Sequence, residues 1–270
     1  MSSDHLEMMK GKSETHIYIL NKLRASSLKF AEFIQESSVV PEILLLNFPS
    51  TTQKLLEAYG NGLLSDEEFW NTWQELFDLS DPFIKALQYQ FTPIVQTIPL
   101  LRFRNPQIQL IPYQDDQALS LMKHFKEQLL LLTYRTRVTR KIDLTAWKEY
   151  LFDEYEWNKS CIEQLNTRIL MYLQKTKQNA ILYQGDVKSL RQILLEEGYI
   201  PKVKHFGRYW RAPLEVLSYL IGTKGLENIP DKCIQECIKA HITYIDYILS
   251  TPTIDDAHDR WTGEKIKKSL

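Results

Sequence analysis

The stretch that most limits how this chain folds is 179–203, NAILYQGDVKSLRQILLEEGYIPKV. It opens on a short apolar run, 180–183, of the kind found in strands buried on both faces. Gln184-Gly185-Asp186 is a tight polar turn with Asp186 placed to cap a helix. Leu190, Ile193 and Leu194 then repeat at helical spacing, and Gly198 sits where a helix C-cap needs positive φ. Ile200 to Val203 starts another strand. A β-α-β step of this kind requires a parallel sheet with a right-handed crossover.

Two similar units precede it. Residues 16–20 (HIYIL) read as a strand, followed by a helix capped by Ser26 or Ser27. Residues 42–46 (EILLL) read as a second strand, with Thr51 or Thr52 capping the next helix. Ser65 and Glu68 form a capping-box pair ahead of Phe69, Trp70, Trp73 and Phe77, an aromatic set at core spacing. Asp81-Pro82 starts a further helix that Pro93 kinks or ends. Residues 108–112 (IQLIP) are a third strand. From 115 to 178 only helices are expected, one capped by Asp143 and a longer one running from about Trp157 to Lys175. Residues 214–221 and 231–249 read as two more helices, and 251–270 as a polar tail.

The expected architecture is therefore α/β: a mainly parallel central sheet flanked by helices, with a large all-helical insertion at about 115–178. It forms a single domain over 15–250 after a disordered tail, 1–14. With 33 basic and 34 acidic residues, charge gives no global drive toward nucleic acid or an anionic membrane. Cys161, Cys233 and Cys237 are an odd, sparse set that points to a reducing compartment, hence a cytoplasmic protein. No signal peptide or spanning segment is read, so no membrane association is expected.

The order of these features resembles the ChaN/TraB/TIKI-type superfamily over about 15–221. The resemblance is carried by the first strand and turn, by 41–49 (PEILLLNFP), and by 180–198 with its closing Glu196-Glu197-Gly198-Tyr199. It implies a strand-end pocket with Gly-x-x-His turns and a glutamate. Here those slots hold Arg24, Asn47, Gln164 (with Asn166 beside it) and Asp186. A divalent metal needs carboxylates or neutral imidazoles, and acid–base work needs a group that titrates. Arginine stays charged, and asparagine and glutamine do not titrate. The resemblance thus implies a pseudoenzyme with a rebuilt pocket, without catalytic residues, metal or cofactor. Its candidate ligand-binding residues are Arg24, Asn47, Gln164, Asn166, Gln184, Asp186, Arg208 and Arg211, and its expected partner is another protein or a small anionic ligand. An alternative is a hydrolase with a relocated site built from Asp186, Asp115 and Glu163.

Other patterns weigh less. Cys233, Cys237 and His241 share a helix face and would offer three soft ligands, but small buried cysteines on an apolar stripe are common. The basic runs 134–141 (YRTRVTRK) and 202–211, with Phe206, Tyr209 and Trp210 interleaved in the second, leave nucleic-acid binding as a further, less favoured reading.

Overall fold

The computed structural model describes residues 14–269. The predicted tail at 1–14 therefore lies, apart from Glu14, outside the described residues. Strands β1 (Glu14–Leu20), β2 (Ile43–Pro49), β3 (Gln109–Gln114), β4 (Asn179–Gln184) and β5 (Ile200–His205) form one sheet in the order β3-β2-β4-β1-β5, with every neighbouring pair parallel. Helix α1 (Arg24–Glu36) follows β1, and α2 (Gln53–Gly60), α3 (Asp66–Leu76), α4 (Asp81–Val95) and α5 (Ile98–Arg104) lie between β2 and β3. Helices α6 (Asp116–Thr139) and α7 (Leu144–Tyr172) separate β3 from β4, and α8 (Val187–Glu196) separates β4 from β5. Helices α9 (Pro213–Lys224), α10 (Asp231–Ser250) and α11 (Ile254–Ser269) complete the described chain.

The chain divides into two compact units. The first holds the residues up to Asp116 together with Gln164–Arg208, and the second holds Gln117–Glu163 with Tyr209–Leu270.

The first unit carries the whole sheet. Parallel strands joined by crossover helices are covered on both faces, so their sequences are apolar almost without alternation. Accordingly β4 is buried from Asn179 through Tyr183, and β2 from Ile43 through Leu46. One face packs Ile17, Ile19, Ile43, Leu45 and Ile181 against Ile169 of α7, Leu173 just after it, and Leu190 and Leu194 of α8. On the other face Tyr18 meets Phe30 and Phe33 of α1 at 5.7 and 5.5 Å between ring centroids. There too Phe48 lies edge-on to Trp73 of α3, at 5.1 Å. Phe69, Trp70 and Trp73 are all buried, so the aromatic run is core. The edge strands β3 and β5 carry Pro112 and Pro201, and β5 adds Lys202 and Lys204; proline and lysine discourage further strand pairing at an edge.

Buried polar groups fasten the turns. Asn179 donates to the carbonyls of Gln174 and Lys177 (2.8 and 2.9 Å) and accepts from the Gln174 N–H, which sets the entry into β4. The Arg104 guanidinium donates to the carbonyls of Ile34, Gln35 and Ser37, and so closes the C-terminal end of α1.

Several expectations needed correction. Helix α1 starts at Arg24, ahead of Ser26 and Ser27, which are buried inside it. Ser26 Oγ accepts from the Asn21 N–H and donates to the Phe206 carbonyl instead of capping. Thr52 precedes α2 but its hydroxyl donates back to the Pro49 carbonyl (2.6 Å), and β2 continues to Pro49. Helix α4 runs two residues beyond Pro93, because a proline in a final turn removes a donor without stopping the backbone there. Residues 98–104 are helical. Helix α7 is continuous where two helices were expected, since no glycine or proline separates Tyr150 from Trp157. The Ser65–Glu68 capping box is present with both of its bonds.

The second unit is helical. Its core joins Trp147, Tyr150 and Leu151 to Leu217, Ile221, Ile229, Ile234 and Ile238. Trp147 Nε1 donates to Thr136 Oγ1 at 2.9 Å. The predicted polar tail contains α11 instead, which buries Ala257, His258 and Trp261. Those positions with Ile254 follow i, i+3, i+4, i+7 spacing beneath an otherwise polar composition.

Candidate functional site

In an open parallel sheet, ligands meet the carboxyl ends of the strands where successive crossovers leave to opposite faces. Here β1 and β4 are neighbours. The helix after β1, α1, packs on the Tyr18 face, and the helix after β4, α8, packs on the Ile181 face. The switch point therefore lies at the ends of β1 and β4, beside β2.

A layer of polar side chains caps the apolar face at that end of the first unit. Tyr183 stands two residues past Ile181 and so shares its face, while Asn47 lies within the register shift that β2 makes between Leu46 and Pro49. Helix α7 presents Asn166 one turn before Ile169, and α8 presents Ser189 just before Leu190. Asn166 and Tyr183 are almost wholly buried, at 1% and 0% exposure. Asn166 Nδ2 donates to Ser189 Oγ at 2.9 Å, and the Tyr113 hydroxyl donates to the Leu182 carbonyl at 2.8 Å. Three buried atoms of this layer have no hydrogen-bond partner: Asn47 Oδ1, Asn166 Oδ1 and the Tyr183 hydroxyl oxygen. On the opposite face of β4, Gln184 Nε2 is also buried without a partner. Buried polar groups are nearly always paired, so a concentration of orphans at a strand-end calls for an explanation.

The electrostatics keep the layer's phenols neutral. Burial, aided by the nearby Asp186 charge, pushes the Tyr183 hydroxyl up to about 12. Burial, aided by Tyr183, holds Tyr113 well above the usual phenol range. The layer's side chains can hydrogen-bond and offer no group that changes protonation near neutrality.

The predicted site residues divide sharply. Asn166 falls in the layer, Asn47 lies at the carboxyl end of β2, half-buried, and Gln184 lies on the other face of β4. Arg24 donates to the Tyr89 carbonyl at 2.5 Å and lies 5.2 Å over the Tyr89 ring. Asp186 caps α8 by accepting from the Lys188 N–H at 3.0 Å. Gln164 is exposed. Arg208 is exposed and ends the first unit, whereas Arg211 belongs to the second unit, 4.3 Å over the Tyr219 ring. Of the alternative hydrolytic set, Asp115 pairs with Arg168, which also donates to the Gln114 carbonyl at 3.2 Å. Glu163 is exposed and lies in the second unit. Asp116, at the same end of the sheet, accepts from Ser50 Oγ and from the Thr51 N–H and hydroxyl at 3.0–3.1 Å.

The sequence reading missed Tyr113, Tyr183, Ser189 and Arg168. Tyr183 reads as part of an apolar run, although a tyrosine as the last buried residue of a strand is a signal, because its hydroxyl must find a partner.

His241 Nε2 lies 3.1 Å from Thr133 Oγ1 in the second unit's core, and burial depresses its pKa to about 4. Cys233 and Cys237 pack against the same core. Among the described residues no group of three or more His, Cys, Asp or Glu could hold a metal ion. In the basic run ending α6, Arg135 pairs with Asp143 and Arg137 with Asp246, at 3.6 and 2.8 Å. In the other run Lys204 sits 3.5 Å over the Phe33 ring, and Phe206 is buried among Tyr18, Phe30 and Phe33. No helix among the described residues is long and apolar enough to cross a membrane.

No family model matches the chain, and no curated protein or solved structure matches it.

Proposed function

We propose that the protein is a non-catalytic binding module, related in plan to the ChaN/TraB/TIKI-type proteins it resembles, whose strand-end pocket has been rebuilt for hydrogen bonding. One observation carries this reading. The side chains at the switch point are the buried Asn166 and Tyr183, with the half-buried Asn47 and the exposed Ser189 beside them, and the charged groups around them are engaged within the chain. Arg24 holds a backbone carbonyl, Arg168 holds Asp115, and Asp186 caps a helix. General acid–base catalysis asks for a group titrating near the working pH, and the layer has none. The anion expected from the sequence loses its support here, since Arg24 and Arg168 are already spoken for by the chain itself.

The test is calorimetric titration of the purified protein with Zn²⁺, Mn²⁺ and Fe²⁺, together with ester and peptide hydrolysis assays. No stoichiometric metal binding and no turnover are expected. Stoichiometric metal binding or hydrolysis that disappears in Asp186→Ala would overturn the reading.

A further inference from the structure

Helix α6 is apolar on two sides. On one side Thr133 and Thr136 are buried, and Phe125, Leu129 and Leu132 pack against the core of the second unit. Trp147 of α7 and His241 of α10 meet that side at Thr136 and Thr133. About half a turn round the helix, Leu130, Leu131, Tyr134 and Val138 form a second apolar stripe, since residues three, four and seven apart share a helix face. They are 67%, 69%, 65% and 62% exposed. Earlier on the same side the helix is polar, at Ser120, Lys123 and Glu127, so the stripe has a definite end. Single exposed apolar residues are ordinary, but four adjoining ones mark a contact surface. A helix apolar on both sides is one that is covered on both sides.

The stripe is complementary to itself. A two-fold axis brings one patch onto its own copy, so that residue i meets j and j meets i. Leu130 and Val138 stand four residues to either side of Tyr134. Two α6 helices crossing antiparallel at Tyr134 therefore set Leu130 against Val138 twice, with the two phenol rings between. The charges obey the same symmetry. Glu127 lies seven residues before Tyr134, and Lys141 seven after it. Lys141 is kept at the helix end by its N–H, which donates to Thr139 Oγ1 at 3.3 Å. Both side chains are exposed, and neither forms an ion pair among the described residues. Arg135 and Arg137, close to the axis, would repel their copies, but Asp143 and Asp246 already neutralise them. A parallel pairing would instead set Glu127 beside Glu127.

We propose that this stripe is a homodimer interface, in which α6 packs antiparallel on α6 of a second copy and Glu127 of each meets Lys141 of the other. It involves only the second unit, and stands whether or not the strand ends hold a ligand.

The experiment is sedimentation equilibrium of the full chain across micromolar concentrations. A reversible species of twice the 31.9 kDa chain mass is expected. Val138→Asp should leave only monomer, with an unchanged melting temperature when both are dilute, because the position is exposed. Glu127→Lys should weaken the dimer by roughly tenfold, since two exposed pairs turn repulsive together. Adding Lys141→Glu to it should restore the natural affinity. A natural protein that stays monomeric overturns the proposal, as does one that stays monomeric and cosediments with phosphatidylcholine vesicles. A dimer indifferent to Val138→Asp, or a Glu127→Lys defect that Lys141→Glu does not repair, overturns it equally.

Discussion

Acid should destabilise the second unit through His241, and the size of the effect follows from its setting. The imidazole is buried, with Thr133 Oγ1 3.1 Å from Nε2 and the Trp147 ring centroid 6.1 Å away. Burial disfavours the charged form, so the pKa falls from 6.5 to about 4. In the unfolded chain the ordinary value returns. Between those two values the unfolded chain binds a proton that the folded chain refuses, so stability declines as pH falls through this window. Above pH 6.5 the imidazole is neutral in both states and nothing is lost. Below pH 4 it is charged in both, and the loss is complete at about 3 kcal/mol, taken from about 1.4 kcal/mol per pH unit. At pH 5 the loss should already be about 2 kcal/mol. The assay is guanidinium unfolding at pH 7 and pH 5 for the natural protein and for His241→Gln. The variant removes the titration, so its pH 7-to-5 decline should be smaller by about 2 kcal/mol. Taking the difference cancels other titrating groups, including His258, whose pKa burial also lowers. Carbon-13 labelling of the histidines gives the pKa directly. Titration of His241 at pH 6 or above, or identical pH dependence in the two proteins, would refute the reasoning.

Other consequences are as specific. Arg104→Ala removes donors to three carbonyls at the end of α1, and should cost about 2 kcal/mol by chemical denaturation, with Arg104→Lys restoring only part because one ammonium cannot span the fork. Gly198 follows α8 at φ 84 with nothing closer than Lys175 Nζ at 3.9 Å to an added Cβ; Gly198→Ala should therefore cost about 1 kcal/mol through backbone strain alone, and Gly198→Asn less. Asp186→Ala removes the cap of α8 and should cost about 1 kcal/mol. Asp186→Asn keeps a capping oxygen, so it should retain stability while lowering the Tyr183 pKa from about 12, visible in a spectrophotometric phenol titration.

How much of this was legible in the sequence depends on how local each signal is. The β4-α8-β5 step was readable because its strand, cap, helix and glycine each obey a rule spanning a few residues, and the structure builds it nearly as written. The extra helix α11 was also written locally, in Ile254, Ala257, His258 and Trp261, but a polar average hides a stripe of four. Ser26 and Ser27 failed as caps for a different reason. A serine before an apolar run caps only if its hydroxyl is free, and Ser26 is held by the Phe206 carbonyl 180 residues away. The pairing of 117–163 with 209–270 in one unit likewise has no local signature, because it depends on which helix faces meet.

The site shows the same limit more acutely. Asn47 and Asn166 were reachable through the order of elements, because strand ends and a helix facing them can be counted along the chain. Their role was not reachable, because it turns on which atoms lack partners. Asn166 is an ordinary amide until Ser189 takes one end of it and leaves the other bare. Tyr183 is an ordinary apolar strand residue until Tyr113, the neighbour best placed to answer its hydroxyl, is found bonded to the Leu182 carbonyl. Unmet acceptors cost free energy in proportion to their burial, of the order of 1–3 kcal/mol each. Neutral amides and phenols at the strand ends can hydrogen-bond directionally, and none of them changes protonation near neutral pH.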